Sequence, residues 1–132
     1  MKHFLIFTFI LLNILFFSCH TSTNKNVTNL SPEELKQILI NNDSIQLVDV
    51  RKPTEYVAGH IPKAISINYF SNDFAKSIGK LNNKKPVYIY CRSGKRSGKS
   101  VIEFKKAGFT KIYNLKGGIL NWQSKGFDIQ IK

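Results

Sequence analysis

The fold is decided by Pro86-Val87-Tyr88-Ile89-Tyr90-Cys91-Arg92-Ser93-Gly94-Lys95-Arg96-Ser97, a short apolar run that ends at a cysteine and continues into a small cationic turn. Residues 87–90 are β-branched or aromatic and too few for a helix, so they predict a buried strand. Apolar residues then recur at helical spacing up to Gly108, which predicts a helix with Ser97 as its N-cap. Cys91 is thus expected in a strand-to-helix loop, where backbone N–H groups and the helix dipole favour an anion.

The rest of the chain alternates short strands with short helices. Ser31-Pro32-Glu33-Glu34 has the form of a capping box with proline at the first helical position, and it predicts the first helix. Further helices are predicted from Pro53, over residues 71–81 and around residues 119–123, and strands at residues 27–30, 45–50, 65–68 and 111–115. This succession predicts an α/β fold, with a mainly parallel sheet of about five short strands and helices on both faces.

The length and charge of the chain limit the classes of protein to consider. The 132 residues allow one domain, which we place at residues 27–132. The chain carries 20 Lys and Arg against 8 Asp and Glu, a formal net charge of +12. Because the lysines are spread along the chain and no nucleic-acid motif is present, nucleic acid is not expected as a partner. A basic surface that lies beside a membrane or attracts small anions fits the charge better.

The first 18 residues have the pattern of a secretory signal peptide. A short basic start precedes an apolar run at residues 4–17, about 14 residues against the roughly 20 that span a bilayer. Ser18-Cys19 then resembles the lipobox of bacterial lipoproteins, which places cleavage before Cys19 and a lipid on its sulfur. Ordinary secretion and an uncleaved anchor remain open, because residues 16 and 17 are phenylalanine where the lipobox prefers leucine and a small residue.

Residues 19–26 are predicted to form a flexible tether, because they are rich in Ser, Thr and Asn. The expected location is the bacterial cell envelope, with the domain exported and held to a membrane by the lipid. A lipid on Cys19 would leave Cys91 as the only thiol of the domain, so no internal disulfide is expected. A free thiol kept outside the cytoplasm indicates a cysteine that is used chemically.

Four motifs follow one another over most of residues 30–123. They are Leu47-Val48-Asp49-Val50-Arg51 with Glu55 and Tyr56, Gly59-His60-Ile61-Pro62-Lys63-Ala64, Tyr90-Cys91-Arg92-Ser93-Gly94-Lys95-Arg96-Ser97, and Leu115-Lys116-Gly117-Gly118-Ile119-Leu120-Asn121-Trp122. In this order the motifs resemble those of single-domain rhodaneses, which are sulfurtransferases.

The resemblance implies a rhodanese-like three-layer fold and a nucleophilic cysteine at Cys91. Rhodaneses carry a sulfane sulfur as a cysteine persulfide, which they take from thiosulfate or a similar donor and pass to a thiol, cyanide or a protein acceptor. The expected partners are therefore small sulfur-containing anions and a thiol or protein acceptor. We expect no cofactor and a monomer.

The residues after Cys91 suit this chemistry. A thiolate must attack sulfur, and the cations of the turn favour the charged form of the thiol. Gly94 permits a backbone conformation that turns several N–H groups toward one centre, able to hold a persulfide or a departing sulfite. The predicted substrate-binding residues are Arg92, Ser93, Gly94, Lys95, Arg96 and Ser97.

The length of the turn separates sulfur chemistry from phosphate chemistry. Cysteine phosphatases close their loop with an arginine six positions after the cysteine, which leaves room for a phosphoryl group. Here Arg96 lies five positions after Cys91, and position 97 is serine. The shorter loop favours a sulfur atom over a tetrahedral phosphoryl centre.

Polar residues elsewhere in the motifs are given mainly structural interpretations. Asp49 and Arg51 follow a neighbouring strand and are expected to support the loop from the same rim of the sheet. Asp49 is either a solvated charge or the partner of a loop arginine, whereas Arg51 and Glu55 are expected to form an ion pair. His60 is expected to bond backbone in a turn, and Trp122 to lie in the core. No Cys/His cluster has metal-ligand spacing, so no metal site is predicted.

Two other functions stay open. A rhodanese-like binding module would keep the fold and use Cys91 to dock a partner or to sense oxidants and sulfur species without turnover. A thiol redox protein is the weaker alternative, because the domain has no nearby second cysteine. The intact Cys91 favours the enzyme.

Overall fold

The computed structural model describes residues 27–132, so the predictions for the signal peptide, Cys19 and the tether lie outside the described residues. The described part contains five short strands: β1 (Val27–Leu30), β2 (Leu47–Asp49), β3 (Ile65–Ser66), β4 (Val87–Tyr90) and β5 (Ile112–Leu115). They form one sheet in the order β1-β5-β4-β2-β3, and every neighbouring pair is parallel. Strand β4, which leads to Cys91, therefore lies in the centre of the sheet.

Helices follow the strands in alternation. They are α1 (Pro32–Asn41), α2 (Pro53–Ala58), α3 (Phe74–Ile78), α4 (Lys95–Lys106) and α5 (Gly118–Ser124). The α/β fold class is confirmed, with a parallel sheet of five strands. None of the helices between residues 27 and 132 is long and apolar enough to cross a bilayer.

Each face of the sheet carries its own apolar cluster, because successive side chains of a strand point to opposite faces. Ile89 of β4 belongs to the cluster that contains Phe104 of α4. Its neighbour Tyr90 belongs to the other cluster, which contains Leu35 of α1 and Trp122 of α5. Helices therefore cover both faces, as the sequence predicts, and the largely buried strand β4 lies between two layers.

Two local predictions differ in outcome. The capping box of α1 is confirmed, because the Glu34 N–H donates to Ser31 Oγ at 3.2 Å and the Ser31 N–H donates to Glu34 Oε2 at 2.8 Å. The prediction of Ser97 as the N-cap of α4 is wrong. Gly94 is the N-cap, with φ of 95°, and the helix begins at Lys95. The positive φ lets the chain turn into the helix three residues earlier than the apolar spacing indicates.

Helix α3 is also shorter than the predicted helix at residues 71–81. The Asp73 N–H donates to Ser71 Oγ at 3.2 Å, a local turn that competes with helix at the start. Gly79 stands at the other end as the C-cap. The shortened helix still buries Phe74 and Ile78 against the sheet.

Candidate active site

Cys91 lies directly after the central strand and is 1% exposed. In the following turn, the Gly94 N–H lies 3.1 Å from its sulfur and the Ser97 hydroxyl 3.5 Å, and both donate to it. The Ser97 side chain is itself fully buried. Sulfur is held at the floor of a loop whose donors point inward, which is a suitable environment for a negatively charged sulfur.

The hydrogen bonds of this loop set the acidity of the thiol. Burial by itself raises the pKa of Cys91, because it penalises the thiolate. Hydrogen bonds from the Ser97 hydroxyl and from the backbone N–H groups of Ser97, Gly94 and Ser93 outweigh burial, so the pKa lies below the ordinary value of a cysteine. The thiolate is therefore favoured mainly by neutral donors of the loop.

Helix α5 supports the loop from the opposite side. The Ile119 N–H donates to the carbonyl of Cys91 at 2.9 Å, and the Leu120 N–H donates to the carbonyl of Arg92 at 3.2 Å. Gly118 makes this approach possible, because a Cβ at that position would overlap the backbone of Cys91 and Arg92. The start of α5 thus fixes the backbone on which the cysteine stands.

Arg96 is tied to helix α2 by an ion pair. Its two terminal nitrogens donate to the two carboxylate oxygens of Glu55, each at 2.7 Å. The hydrogen bonds from Arg96 lower the pKa of Glu55 to about 2, despite the opposing effect of partial burial. The prediction that Glu55 pairs with Arg51 is wrong, because α2 presents Glu55 to the Cys91 loop instead.

Asp49 and Arg51 form a second, more deeply buried pair. Arg51 Nε lies 2.9 Å and 3.0 Å from the two Asp49 oxygens, and Arg51 Nη2 donates to Asp49 Oδ2 at 2.6 Å. Asp49 is fully buried and Arg51 is 6% exposed. Neither interpretation of Asp49 as a solvated charge or as the partner of a loop arginine is correct. The pair holds the turn after β2, where Arg51 also donates to the carbonyl of Gly59 at 2.6 Å.

The structural interpretations of two other residues are confirmed. The His60 ring nitrogen Nδ1 lies 3.0 Å from the Tyr56 carbonyl oxygen, and the two rings stack with centroids 3.9 Å apart. Trp122 is 3% exposed, belongs to the core and donates its indole N–H to the Asp128 carbonyl at 2.8 Å. Neither ring makes a hydrogen bond to the Cys91 sulfur.

The remaining residues of the turn face solvent. Arg92, Ser93 and Lys95 are exposed, and Gly94 is partly buried. Of the predicted loop residues, Gly94 and Ser97 therefore donate to the sulfur, whereas the cations Arg92 and Lys95 lie on the exposed surface of the turn. Among residues 27–132, no three His, Cys, Asp or Glu side chains are placed together as metal ligands.

A cysteine at the end of the central strand, enclosed by a short donor-lined turn, is the arrangement that the sequence resemblance implies. The family model of the rhodanese-like domain matches residues 31–125. The chain belongs to the rhodanese family.

Two supports of the Cys91 loop are not predicted from the sequence. They are the Glu55 side chain and the backbone of residues 118–120. The Gly117-Gly118 pair shortly after β5 is a signal that could have identified the second of these, because adjacent glycines permit close backbone contact.

Rhodaneses and sulfurtransferases of known sequence are similar to the chain over most of its length. It is 35% identical to the thiosulfate:glutathione sulfurtransferase of Saccharomyces cerevisiae, covering 81% of this chain and 88% of that protein. It is 33% identical to a sulfurtransferase of Allochromatium vinosum, covering 78% and 94%. A rhodanese-like domain protein from Staphylococcus aureus has a crystal structure that superposes with a TM-score of 0.68 and 30% identity, covering 80% and 98%.

Other relatives of this rhodanese are longer proteins. The chain spans 62% of the uncharacterised Bacillus subtilis protein YqhL, with 41% identity over 80 residues. It spans 34% of the tRNA uridine(34) hydroxylase of Pelagibacter ubique and 57% of the putative sulfur carrier protein YrkF of Bacillus subtilis. The rhodanese domain therefore occurs in these relatives as part of a larger chain.

Proposed function

We propose that the protein is a sulfurtransferase that carries a sulfane sulfur as a persulfide on Cys91. The observation that carries the proposal is the convergence of the Gly94 N–H and the Ser97 hydroxyl on the Cys91 sulfur at 3.1 Å and 3.5 Å. These donors lower the pKa of the thiol and would stabilise both a thiolate and the terminal sulfur of a persulfide. The sulfurtransferase names of the yeast and Allochromatium relatives support the same reaction class.

The loading step is a displacement at sulfur. The Cys91 thiolate attacks the outer sulfur of thiosulfate, a new S–S bond forms to Cys91, and the original S–S bond breaks. Its electron pair leaves with sulfite, so that thiolate and thiosulfate dianion give the persulfide anion and a sulfite dianion. The exposed cations Arg92 and Lys95 would attract the incoming dianion, and the loop N–H groups need not move.

The transfer step regenerates the thiolate. An acceptor thiolate or cyanide attacks the outer sulfur of the persulfide, the bond to Cys91 sulfur breaks, and the electron pair returns to Cys91. No oxidant or reductant is consumed, because sulfur moves between two nucleophiles. The lowered pKa of Cys91 makes its thiolate a better leaving group in this step than an ordinary cysteine thiolate.

A mass measurement tests the proposal. Wild-type protein treated with thiosulfate is expected to gain the mass of one sulfur atom, and Cys91→Ser is expected to gain none. A thiosulfate-to-cyanide assay should follow the same pattern. Ser100→Ala provides a matched control, since it removes a buried hydroxyl one helical turn from the loop. This variant should still gain one sulfur atom from thiosulfate.

An unmodified wild-type mass after treatment with several sulfane donors would contradict the proposal and favour a binding module. Hydrolysis of an aryl phosphate that depends on Cys91 would contradict it in favour of a phosphatase.

We also propose that the mature protein begins at a lipid-bearing Cys19 and is held in the cell envelope. The support comes from the apolar run at residues 4–17 and the Ser18-Cys19 pair. The mass of the protein purified from a bacterial host should equal that of residues 19–132 with lipid attached, and Cys19→Ala should abolish the lipid mass. A wild-type mass without lipid would contradict the anchor and leave the sulfurtransferase proposal unaffected.

A further inference from the structure

A groove with a volume of about 590 Å³ opens beside the Cys91 loop. We call it the Phe70 groove and define it by Tyr69, Phe70, Ser71, Arg96, Lys99 and Glu103. Arg96 belongs to both features, since it lies in the first turn of α4 and its guanidinium interacts electrostatically with Cys91. The groove therefore leads away from the sulfur along the surface of α4. Its volume is in the range of small-molecule sites and far exceeds what thiosulfate or cyanide fills.

Phe70 forms an aromatic wall of this groove. Phe70 is 58% exposed, and its backbone N–H donates to Asn68 Oδ1 at 3.0 Å. Lys52 Nζ and Arg96 Cζ lie 5.8 Å and 5.9 Å from the ring centroid. An exposed aromatic ring beside Arg96 offers apolar surface to a bound molecule.

The charged side chains that line the groove differ in whether they already have an ion-pair partner. Arg96, Lys99 and Glu103 occur at positions i, i+3 and i+7 of α4 and share one helix face. Arg96 is bound to Glu55, and Lys106 Nζ lies 3.1 Å from Glu103 Oε1. The Lys99 ammonium has no hydrogen-bond or ion-pair partner among residues 27–132. Lys99 is displaced from Arg96 by about 4.5 Å along the helix axis, so it supplies an available cation about one helical turn beyond Arg96.

We propose that the Phe70 groove binds the sulfur acceptor, and that this acceptor is a low-molecular-mass thiol that carries a carboxylate. Lys99 binds the carboxylate, and Phe70 covers the aliphatic part of the molecule. The inference rests on the proposed function, because the acceptor thiolate attacks the outer sulfur of the Cys91 persulfide. The S–S bond to Cys91 then breaks and its electron pair stays on the Cys91 thiolate, so the acceptor leaves as a persulfide. An acceptor without a carboxylate leaves Lys99 unused.

The test separates loading from transfer. The Cys91 persulfide is first formed with thiosulfate and isolated, and its mass is measured. Its single-turnover reaction is then followed with glutathione, which carries carboxylates, and with mercaptoethanol, which carries none. For Lys99→Gln, the glutathione concentration at half-maximal rate should rise about five- to tenfold, as expected for loss of one charge-assisted contact. The reaction with mercaptoethanol and the loading by thiosulfate should not change.

Lys84→Gln is the matched control, because Lys84 is an exposed lysine that precedes β4 at the opposite end of the strand from Cys91. This variant makes the same change in net charge and should leave the reactions with both acceptors unchanged. Phe70→Ala should raise the glutathione concentration at half-maximal rate and should leave the reaction with mercaptoethanol unchanged. Equal glutathione kinetics in wild type and Lys99→Gln after normal loading would overturn this inference alone. A wild type that gains no sulfur would overturn the proposed function and this inference with it.

Discussion

Arg96 and Glu55 join the Cys91 loop to helix α2 through two parallel hydrogen bonds of 2.7 Å. Glu55 also accepts from the Lys52 N–H at 3.1 Å, so one carboxylate both caps α2 and holds Arg96. Arg96 is consequently oriented before any substrate arrives. The ion pair fixes the loop and one side of the Phe70 groove together.

Replacing Glu55 by glutamine should destabilise the protein in a pH-dependent way. The pKa of Glu55 is lowered to about 2 by its hydrogen bonds to Arg96, from 4.5. A lowered pKa contributes stability that is present above about pH 4.5 and lost as the pH falls toward 2. At pH 7, Glu55→Gln should reduce the free energy of unfolding by about 1–2 kcal/mol, a value that allows for solvent screening of a partly exposed pair.

Urea denaturation of wild type and Glu55→Gln between pH 7 and pH 3 measures this effect. The difference between the two proteins should shrink steadily below pH 4.5. Glu33→Gln is the control, because Glu33 pairs with Lys125 at a more exposed site and should have the smaller effect. A difference for Glu55→Gln that is the same at pH 7 and pH 3 would show that the ion pair is not the cause.

Loss of the Asp49 charge should be more costly than loss of the Glu55 charge. Asp49→Asn leaves the buried Arg51 guanidinium without its counter-ion, which should reduce the free energy of unfolding by about 3–5 kcal/mol. The double variant Asp49→Asn with Arg51→Met removes both charges and should recover part of this loss. Denaturant titration of the single and double variants measures the coupling. A single variant within about 1 kcal/mol of wild type would contradict the assignment of a buried pair.

The fold could be predicted because its signals are local. The apolar run of β4, the capping box of α1 and the alternation of strands with helices are each contained within a few neighbouring residues. The exceptions arise where a local turn competes with periodicity. The Ser71 hydroxyl accepts from the Asp73 N–H, and α3 begins later than the apolar spacing predicts. Gly94 has a left-handed backbone conformation, and α4 begins before Ser97.

The site could be predicted only in part, because its ion pairs join distant residues. Cys91 and its turn are contiguous in sequence, so their grouping required no knowledge of packing. Glu55 and Arg96 are 41 residues apart, and their pairing depends on how α2 docks beside the sheet. Arg51 and Glu55 are also close in the sequence, and the sequence does not show that Arg51 pairs with Asp49 instead.

Ser97→Ala should raise the pKa of Cys91. The Ser97 hydroxyl donates to the sulfur, and a hydrogen bond to a charged group is worth about 1.5 kcal/mol, which corresponds to about one pH unit. The rate of alkylation by iodoacetamide as a function of pH should therefore shift upward by that amount. Ser100→Ala removes a hydroxyl that donates to the Ser97 carbonyl at 2.7 Å and should leave the profile in place. Identical profiles for Ser97→Ala and wild type would show that the hydroxyl does not stabilise the thiolate.

Gly118→Ala should disrupt the loop from the side of α5. Gly118 has φ of 61°, and a Cβ there would overlap the backbone of Arg92, so both strain and collision are introduced. Gly126 provides a control for strain alone, because its φ is 72° and a Cβ there would meet nothing within 4 Å. Gly126→Ala should cost about 1–2 kcal/mol of stability and keep sulfur loading.

Gly118→Ala should cost about 1–3 kcal/mol more than the control, because of overpacking. It should also slow loading by thiosulfate, since displacing the Arg92 backbone moves the carbonyls that accept from Ile119 and Leu120. Thermal denaturation together with mass spectrometry after thiosulfate treatment measures both effects on the same samples. If the two alanine variants proved equal in stability and loading, the contact between α5 and the Cys91 loop would have no role in holding the sulfur.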